Sequence, residues 1–118
     1  MSVILALGTL IYDIAQIHFA MNTIASLTDG AKRVSITGKL VWVTPEGPRT
    51  GVSKSGIAYT VISTLVRDET GSINLSIFGD AAKLAKKGSL VAVTNGYVTS
   101  FNDKLQLNVG RFGKLSIE

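Results

Sequence analysis

The chain of 118 residues contains no cysteine, one histidine, one tryptophan and two prolines. The absence of cysteine excludes a disulfide framework, a thiolate nucleophile and any cysteine-ligated metal. The single histidine, His18, has no second histidine or cysteine to complete a metal site, so we expect neither a metal nor any other cofactor. An intracellular, cytoplasmic protein is the default expectation for such a composition.

Signatures of catalysis are also missing from the sequence. There is no glycine-rich phosphate loop that ends in Gly-Lys-Ser or Gly-Lys-Thr, and no nucleophile stands with a base that His18 could provide. The nearest pair of carboxylates, Asp68 and Glu69, lies in a predicted turn that the fold already explains. We therefore expect a binding protein and not an enzyme.

Positive charge is absent from the first 31 residues, although the chain has 12 Lys and Arg against 8 Asp and Glu. When residues 1–20 are set aside, only Asp13 is lost, and the balance becomes 12 against 7, or +5. Clustered Lys and Arg side chains attract polyphosphates and release their counterions on binding. The charge distribution therefore favours an anionic partner.

The first 20 residues form a segment of a different kind, with fourteen apolar residues and one charge. Its apolar residues recur at helical spacing on one stripe: Val3, Leu7, Leu10, Ile14, Ile17, Met21 and Ile24. Three interpretations stay open: a helix that packs or forms a homo-oligomer through residues 3–24, an extension upstream of a true start at Met21, or membrane contact. A membrane span is disfavoured because polar residues interrupt the run and no Lys or Arg precedes it.

The remainder, residues 21–118, has the size of one compact domain and reads as short alternating stretches separated by turn residues. We predict strands at 34–43, 57–67, 72–78, 90–101 and 104–109, a long mobile loop at 46–56, and a helix at 81–87 capped by Asp80 and ended by Gly88. Three strands, a short helix and two strands is the order of the all-β, five-stranded Greek-key barrel called the OB-fold.

Hairpin geometry assigns the two faces of the last predicted strands. If Asn102 and Asp103 form a two-residue turn, Phe101 lies opposite Lys104, Thr99 opposite Gln106 and Tyr97 opposite Asn108. Val98 and Leu107 then share the other, aliphatic face, which suits the core. The same alternation places Phe78 with Ser72, Asn74 and Ser76 on the polar side of its strand.

Three aromatic residues on polar strand faces are an anomaly for folding, but they suit a platform on which bases stack. One alternative is a bulge near Asn95 and Gly96 that would turn Tyr97 and Phe101 into the core. Trp42 and Tyr59 are weaker candidates, and we interpret Trp42 as a packing residue that covers the barrel end.

Several stretches of the chain carry a family resemblance. They are the segment 66–78 with its Asp-Glu-Thr-Gly turn, the Asn-Gly-Tyr-Val-Thr-Ser-Phe run at 95–101, and the segment 105–115 with Asn-Val-Gly-Arg. Together they resemble the archaeal single-OB-domain, replication-protein-A-like single-stranded-DNA-binding proteins and their eukaryotic sensor relatives, over about residues 21–117. The sequence departs from that family in two respects, since we expect no glycine-rich or acidic tail and it begins with the apolar segment at residues 1–20.

The resemblance implies a set of binding residues. Phe78, Tyr97 and Phe101 match three aromatics that stack on bases, although the family often has Trp at the first two positions. Lys54 and Arg111 match basic contacts, while Lys104 joins them from its place at the hairpin tip and Gln106 from the polar face. The implied function is to coat and protect single-stranded DNA in replication, recombination or repair. An adaptor OB domain that binds a protein partner and an RNA-binding OB domain remain the alternatives.

Overall fold

The computed structural model describes residues 21–118. The predicted N-terminal helix, and self-association through it, fall outside the described residues. The described part is all-β, with strands β1 (Lys32–Val43), β2 (Arg49–Val52), β3 (Ala58–Arg67), β4 (Ser72–Phe78), β5 (Leu90–Phe101), β6 (Lys104–Asn108) and β7 (Lys114–Ile117). Two 3₁₀ turns, Ile24–Ser26 and Gly79–Lys83, complete the elements.

Five of the strands close into a barrel in the order β1, β3, β4, β6, β5, and a pairing of β5 with β1 completes the circle. The pairs are antiparallel except for β4 with β6, which run parallel. The short strand β2 adds to β3, and β7 adds to β5. This arrangement confirms the predicted OB-fold barrel.

The core is built from the alternate residues of each strand that point into the barrel. Its largest fully buried side chains include Ile36, Leu40, Leu75, Ile77 and Leu107. The one buried threonine on β3, Thr64, donates its hydroxyl to the carbonyl of Leu75 at 2.7 Å, so its polar group is satisfied. Because these side chains fill the interior, the residues that alternate with them point outward.

Two local predictions were wrong, and one strand was not predicted. The predicted helix at 81–87 is a 3₁₀ turn at Gly79–Lys83, and its N-cap is Phe78 without a side-chain cap, so Asp80 does not cap it. Few side chains of this short segment reach the core, so packing does not favour a longer helix. The predicted loop at 46–56 contains β2, and residues 53–57 close a hairpin in which the Ser53 amide donates to the Ile57 carbonyl at 2.9 Å. β7 was not foreseen at all.

Residues 21–31, which precede β1 and which we call the strap, cover one end of the barrel. The strap buries Ile24 and Leu27 against the core, and the Asn22 amide donates to the Ser35 carbonyl at 2.7 Å. Asp68 in the β3–β4 turn holds the strap, because its carboxylate accepts the amide of Ile24 at 2.9 Å. The other carboxylate oxygen accepts the amide of Thr70 at 2.7 Å, so Asp68 joins the turn to the strap.

Within residues 21–118, no helix is long and apolar enough to cross a membrane.

Replacing Asp68 with Asn tests whether this residue joins the strap to the β3–β4 turn. Desolvation tends to raise the pKa of Asp68, but hydrogen bonds from Thr70, Ile24 and Gly71 outweigh it and hold the pKa below its ordinary value of 3.8. Because Asn offers only one acceptor oxygen, we expect Asp68→Asn to lower the free energy of unfolding by about 1 to 2 kcal/mol at pH 7, measured by urea denaturation.

The same experiment has a pH dependence. A depressed folded-state pKa contributes stability at neutral pH that is lost as the pH falls through it, so the difference between wild type and Asp68→Asn should shrink below about pH 4. The control is Glu69→Gln at the exposed neighbouring carboxylate, which should be close to neutral. A constant difference from pH 7 to pH 2.5 would contradict this role for Asp68.

Candidate nucleic-acid interface

Phe78, Tyr97 and Phe101 point away from the core on the outer side of the barrel. Their exposed fractions are 57%, 42% and 68%. The pairing of β5 with β6 is the predicted one, with Phe101 opposite Lys104, Thr99 opposite Gln106 and Tyr97 opposite Asn108. Asn102 and Asp103 both have positive φ, as a two-residue type I′ turn requires. The predicted outward orientation of the three aromatics is confirmed.

A β-bulge on β5 determines this orientation. Val34 pairs with Gly96 but Ile36 pairs with Val93, so β5 carries one extra residue, at Asn95, whose φ is 55°. Before the bulge the odd-numbered Val91 and Val93 are buried, whereas after it Gly96 and Val98 are buried. Without the bulge, Tyr97 would continue the buried series.

The alternative considered from the sequence, a bulge near Asn95 and Gly96, therefore exists but has the opposite effect. It turns Tyr97 and Phe101 outward instead of burying them. A second bulge on β1, at Arg33 with a φ of 54°, offsets the shift, so that Lys32 pairs with Tyr97. Lys32 thus flanks Tyr97 on the outer surface, a basic neighbour that the sequence analysis did not identify.

The loop after β6 supports Tyr97 from one side. A Cβ atom added to Gly110 would lie 2.8 Å from Cε1 of Tyr97, so the ring rests directly against the glycine backbone. The next residues are tied to the bulge, since Asn95 Nδ2 donates to the carbonyl of Phe112 at 3.2 Å. The guanidinium of Arg111 lies 5.9 Å from the centre of the exposed Phe112 ring. Because Arg111 directly follows Gly110, its backbone lies at the Tyr97 end of the surface.

Hydrogen-bonded polar side chains form the floor between the aromatic residues. Gln106 Nε2 donates to the hydroxyl of Ser76 at 2.9 Å, which joins β6 to β4 across their parallel pairing. Asn108 Nδ2 donates to the hydroxyl of Thr99 at 3.0 Å, which joins β6 to β5. These contacts hold the three strands in one outer surface, with Gln106 half-buried in its middle.

Tyr59 extends the aromatic surface onto β3. Its ring lies edge-on to Phe78, with 6.0 Å between the ring centres. A Cβ atom added to Gly51, its partner on β2, would lie 2.6 Å from the Tyr59 hydroxyl, so this ring also rests on a glycine. Tyr59 restricts where the Phe78 ring can turn.

The predicted basic residues are exposed but spread out. Lys104 lies directly opposite Phe101 at one end of the surface, and Arg111 lies near Tyr97 at the other. Lys54 is at the tip of the β2–β3 hairpin, where the Ser53 and Ser55 hydroxyls lie 3.0 Å apart and order the turn. The structure thus places Lys104, Arg111, Gln106 and the three aromatics along one outer surface of the barrel, and Lys54 at the turn of the β2–β3 hairpin.

The interpretation of Trp42 as a packing residue was wrong. Its side chain is 46% exposed and lies on the outer surface, opposite Leu65 of β3. The register shifts between Leu40 and Trp42, so Val41 is an extra residue that interrupts the alternation. Val43, and not Trp42, packs against the core.

Residues 21–118 hold no group of three or more His, Cys, Asp or Glu side chains that could bind a metal ion. The surface offers rings, amides, hydroxyls and cations, which can stack on bases, bond to their edges and meet phosphates.

Comparisons with known proteins agree with this geometry. The family model described as "Single-stranded DNA binding protein Ssb-like, OB fold" matches residues 31–117. The Single-stranded DNA binding protein Ssb of Saccharolobus solfataricus is 34% identical over 64 residues, which cover 54% of this chain and 43% of that protein. The matched segment thus spans less than half of that relative.

Two solved structures resemble the barrel. One is the second OB-fold domain of replication protein A from Methanococcus maripaludis, with a TM-score of 0.66 and 24% identity over 81% of this chain and 92% of that one. The other is an OB domain from Thermoplasma acidophilum, with a TM-score of 0.66 and 25% identity over 81% of this chain and 84% of that one.

The bulge on β5 can be tested at Asn95. A β-branched residue at positive φ is strained by about 1 to 2 kcal/mol, whereas glycine adopts this conformation freely. We expect Asn95→Val to be less stable than Asn95→Gly by about that amount in urea unfolding, although both lose the hydrogen bond to Phe112. Equal stability of the two variants would mean that the left-handed bulge is absent.

Proposed function

The chain belongs to the Ssb-like family of single-stranded-DNA-binding OB-fold proteins, and on that premise we propose that it binds single-stranded DNA, coating and protecting single strands in replication, recombination or repair. The observation that carries the proposal is the outward placement of Phe78, Tyr97 and Phe101 on one hydrogen-bonded surface. Each is a large aromatic ring that is not buried in the core.

Stacking explains why such rings are kept outside. A base stacked on an aromatic side chain contributes about 1 to 3 kcal/mol, and the contact tolerates any sequence because every base has a π-face. Rings fixed in advance lose little freedom on binding. Tyr97 rests against Gly110 and Phe78 lies edge-on to Tyr59, and these contacts favour orientations of the two rings in which a base can stack on them.

Cations beside the rings supply the second part of the mechanism. Lys104 is the cross-strand partner of Phe101, and Lys32 is that of Tyr97. A phosphate that follows a stacked base passes within reach of such a neighbour, and its neutralisation releases counterions. Gln106 and Asn108 between them offer amide groups to base edges or sugars.

The two alternatives make different demands on the ligand. An adaptor domain would bind a protein through the same surface, and an RNA-binding domain would use the same stacking with contacts to the 2′-hydroxyl. Fluorescence anisotropy with a labelled single strand, its duplex and the RNA equivalent separates them. We expect the DNA single strand to bind at least tenfold more tightly than the duplex, and failure to bind any of the three would favour the adaptor.

The rest of the proposal concerns the whole chain. We propose a binding role without catalysis, and a cytoplasmic location that suits a cysteine-free chain whose ligand is intracellular DNA. The division into an N-terminal extension, residues 1–20, and a binding domain, residues 21–118, stays a prediction, as does self-association through residues 3–24.

Alanine substitution tests the stacking residues. We expect Phe78→Ala, Tyr97→Ala and Phe101→Ala each to weaken single-strand binding by about 1 to 3 kcal/mol with little loss of stability, because each ring is exposed. Anisotropy titration and thermal unfolding measure the two quantities. Leu84→Ala is the matched control, since Leu84 is exposed and apolar but belongs to no strand. Variants that unfold while the folded fraction keeps wild-type affinity would assign the rings to the core.

Salt dependence tests the phosphate contacts. On single strands the slope of log affinity against log salt is about −0.7 for each phosphate neutralised. Replacing Lys54, Lys104 or Arg111 with Ala should therefore flatten the slope by about 0.7 in each case. Lys87→Ala, at an exposed lysine outside the strands, should leave it unchanged. A slope that is the same in all variants would argue against these contacts.

A further inference from the structure

Trp42 is the only tryptophan of the chain, and the structure gives it no part in the core. The bulge at Val41 turns it outward, as the bulge at Asn95 does for Tyr97. Both bulges therefore move an aromatic side chain from the core series to the outer surface of the same barrel. Large rings at nearly half exposure favour a contact with a ligand, because the barrel offers them no burial.

A groove lies on the outer side of β3, between the position of Phe78 and that of Trp42, and neither ring lines it. It has a volume of about 490 Å³ and is lined by Thr44, Glu46, Gly47, Pro48, Arg49, Val61 and Ser63. Val61 is the cross-strand partner of Phe78. Ser63 lies two residues after Val61 on β3. Leu65, the cross-strand partner of Trp42, lies two residues after Ser63. The groove thus begins beside Phe78 and leads toward Trp42.

Two cationic residues lie near Trp42 on the same outer side of the barrel. Lys39 and Arg67 are direct cross-strand partners, and both are exposed. Arg67 is the diagonal neighbour of Trp42, at a distance that long side chains span. Like charges placed directly opposite each other destabilise a sheet, and an anion between them removes the repulsion. An aromatic ring beside such a pair matches one nucleotide, with a base for the ring and a phosphate for the cations.

From this arrangement we propose that a bound single strand continues past Phe78 along the groove, stacks a base on Trp42 and places a phosphate between Lys39 and Arg67. This inference rests on the proposed function and extends its binding site across β3 to β1. The surface is continuous with the first site, because Leu65 beside Trp42 is the partner of Asn74 on β4, and Asn74 is the partner of Gln106.

The groove itself suits a base edge better than a phosphate. Glu46 Oε1 accepts the hydroxyl of Thr44 at 2.6 Å, and this hydrogen bond holds the pKa of Glu46 below its ordinary value. The carboxylate is therefore charged at neutral pH and repels phosphate, but it can accept a hydrogen bond from a base amino group. Arg49 lines the same groove and can meet the backbone.

The two ends of the extended site are separated by four residues of β3, from Val61 to Leu65, or about 13 Å. A strand that covers the first three aromatics must therefore be several nucleotides longer to reach Trp42. The inference predicts a length dependence that the first site alone does not.

Tryptophan fluorescence tests the proposal at one residue, because Trp42 is the only source of that signal. The titrants are labelled dT4 and dT12, with anisotropy recorded in parallel. We expect dT12 to quench Trp42 in step with its anisotropy. We also expect Trp42→Ala to weaken dT12 about five- to a hundredfold and dT4 much less, while Trp42→Phe retains most of the affinity.

The outcomes separate this inference from the proposed function. If anisotropy shows dT12 binding while Trp42 fluorescence is unchanged and Trp42→Ala binds normally, the extended site is wrong, the proposed function stands, and a protein partner becomes the better occupant for Trp42. If dT12 does not bind at all, both the extended site and the proposed function are wrong. Arg67→Ala supplies an independent arm, since it should flatten the salt slope for dT12 but not for dT4.

Discussion

A strand presents alternate residues to opposite faces, and in a small barrel this alternation leaves each residue only one of two environments. The chain departs from it at Arg33, at Asn95 and between Leu40 and Trp42. The first two departures offset each other across the pairing of β1 with β5. They allow Val91 and Val93 to fill the core upstream, while Tyr97 and Phe101 on the same strand point outward.

The core and the strap give that surface a fixed support. Aliphatic residues from all five barrel strands fill the interior, and Thr64 satisfies its hydroxyl on the neighbouring strand. Asp68 binds the strap to the β3–β4 turn with hydrogen bonds that need its ionised form. Because the core and the strap are built from other residues, we expect the barrel to keep its stability when the exposed rings are replaced. Substitutions on the outer surface therefore test binding separately from folding.

Much of this architecture could be predicted from the sequence because it depends on local rules. A two-residue turn at Asn102 and Asp103 predicts both the pairing of β5 with β6 and the two faces of that hairpin. Both residues do adopt positive φ, as that turn requires. The bounds of β4 and β5 were also predictable from alternation between turn residues. The set of exposed aromatics followed from the same faces and from the family resemblance.

What could not be predicted depends on pairings between distant parts of the chain. A bulge near Asn95 could be considered from the sequence, but the direction in which it turns Tyr97 depends on the partner strand and on the hydrogen bond from Asn95 to Phe112. The orientation of Trp42 likewise depends on its partner strand, since its even number continues the buried series of Ile36 and Leu40. The strand β2 was hidden because glycine and proline around it predict a loop, and only pairing with β3 reveals it. Lys32 was missed because its relation to Tyr97 crosses from β1 to β5.

The central claim is that one outer surface of the barrel receives a single strand, and amide NMR of the ¹⁵N-labelled protein titrated with a short oligothymidylate tests it most directly. We expect the largest chemical-shift changes on the outward residues of β4, β5 and β6, together with the Gly110–Phe112 loop, while the 3₁₀ turn at Ile24–Ser26 in the strap stays unchanged. Changes concentrated in the strap, with the aromatic surface unperturbed, would contradict the claim.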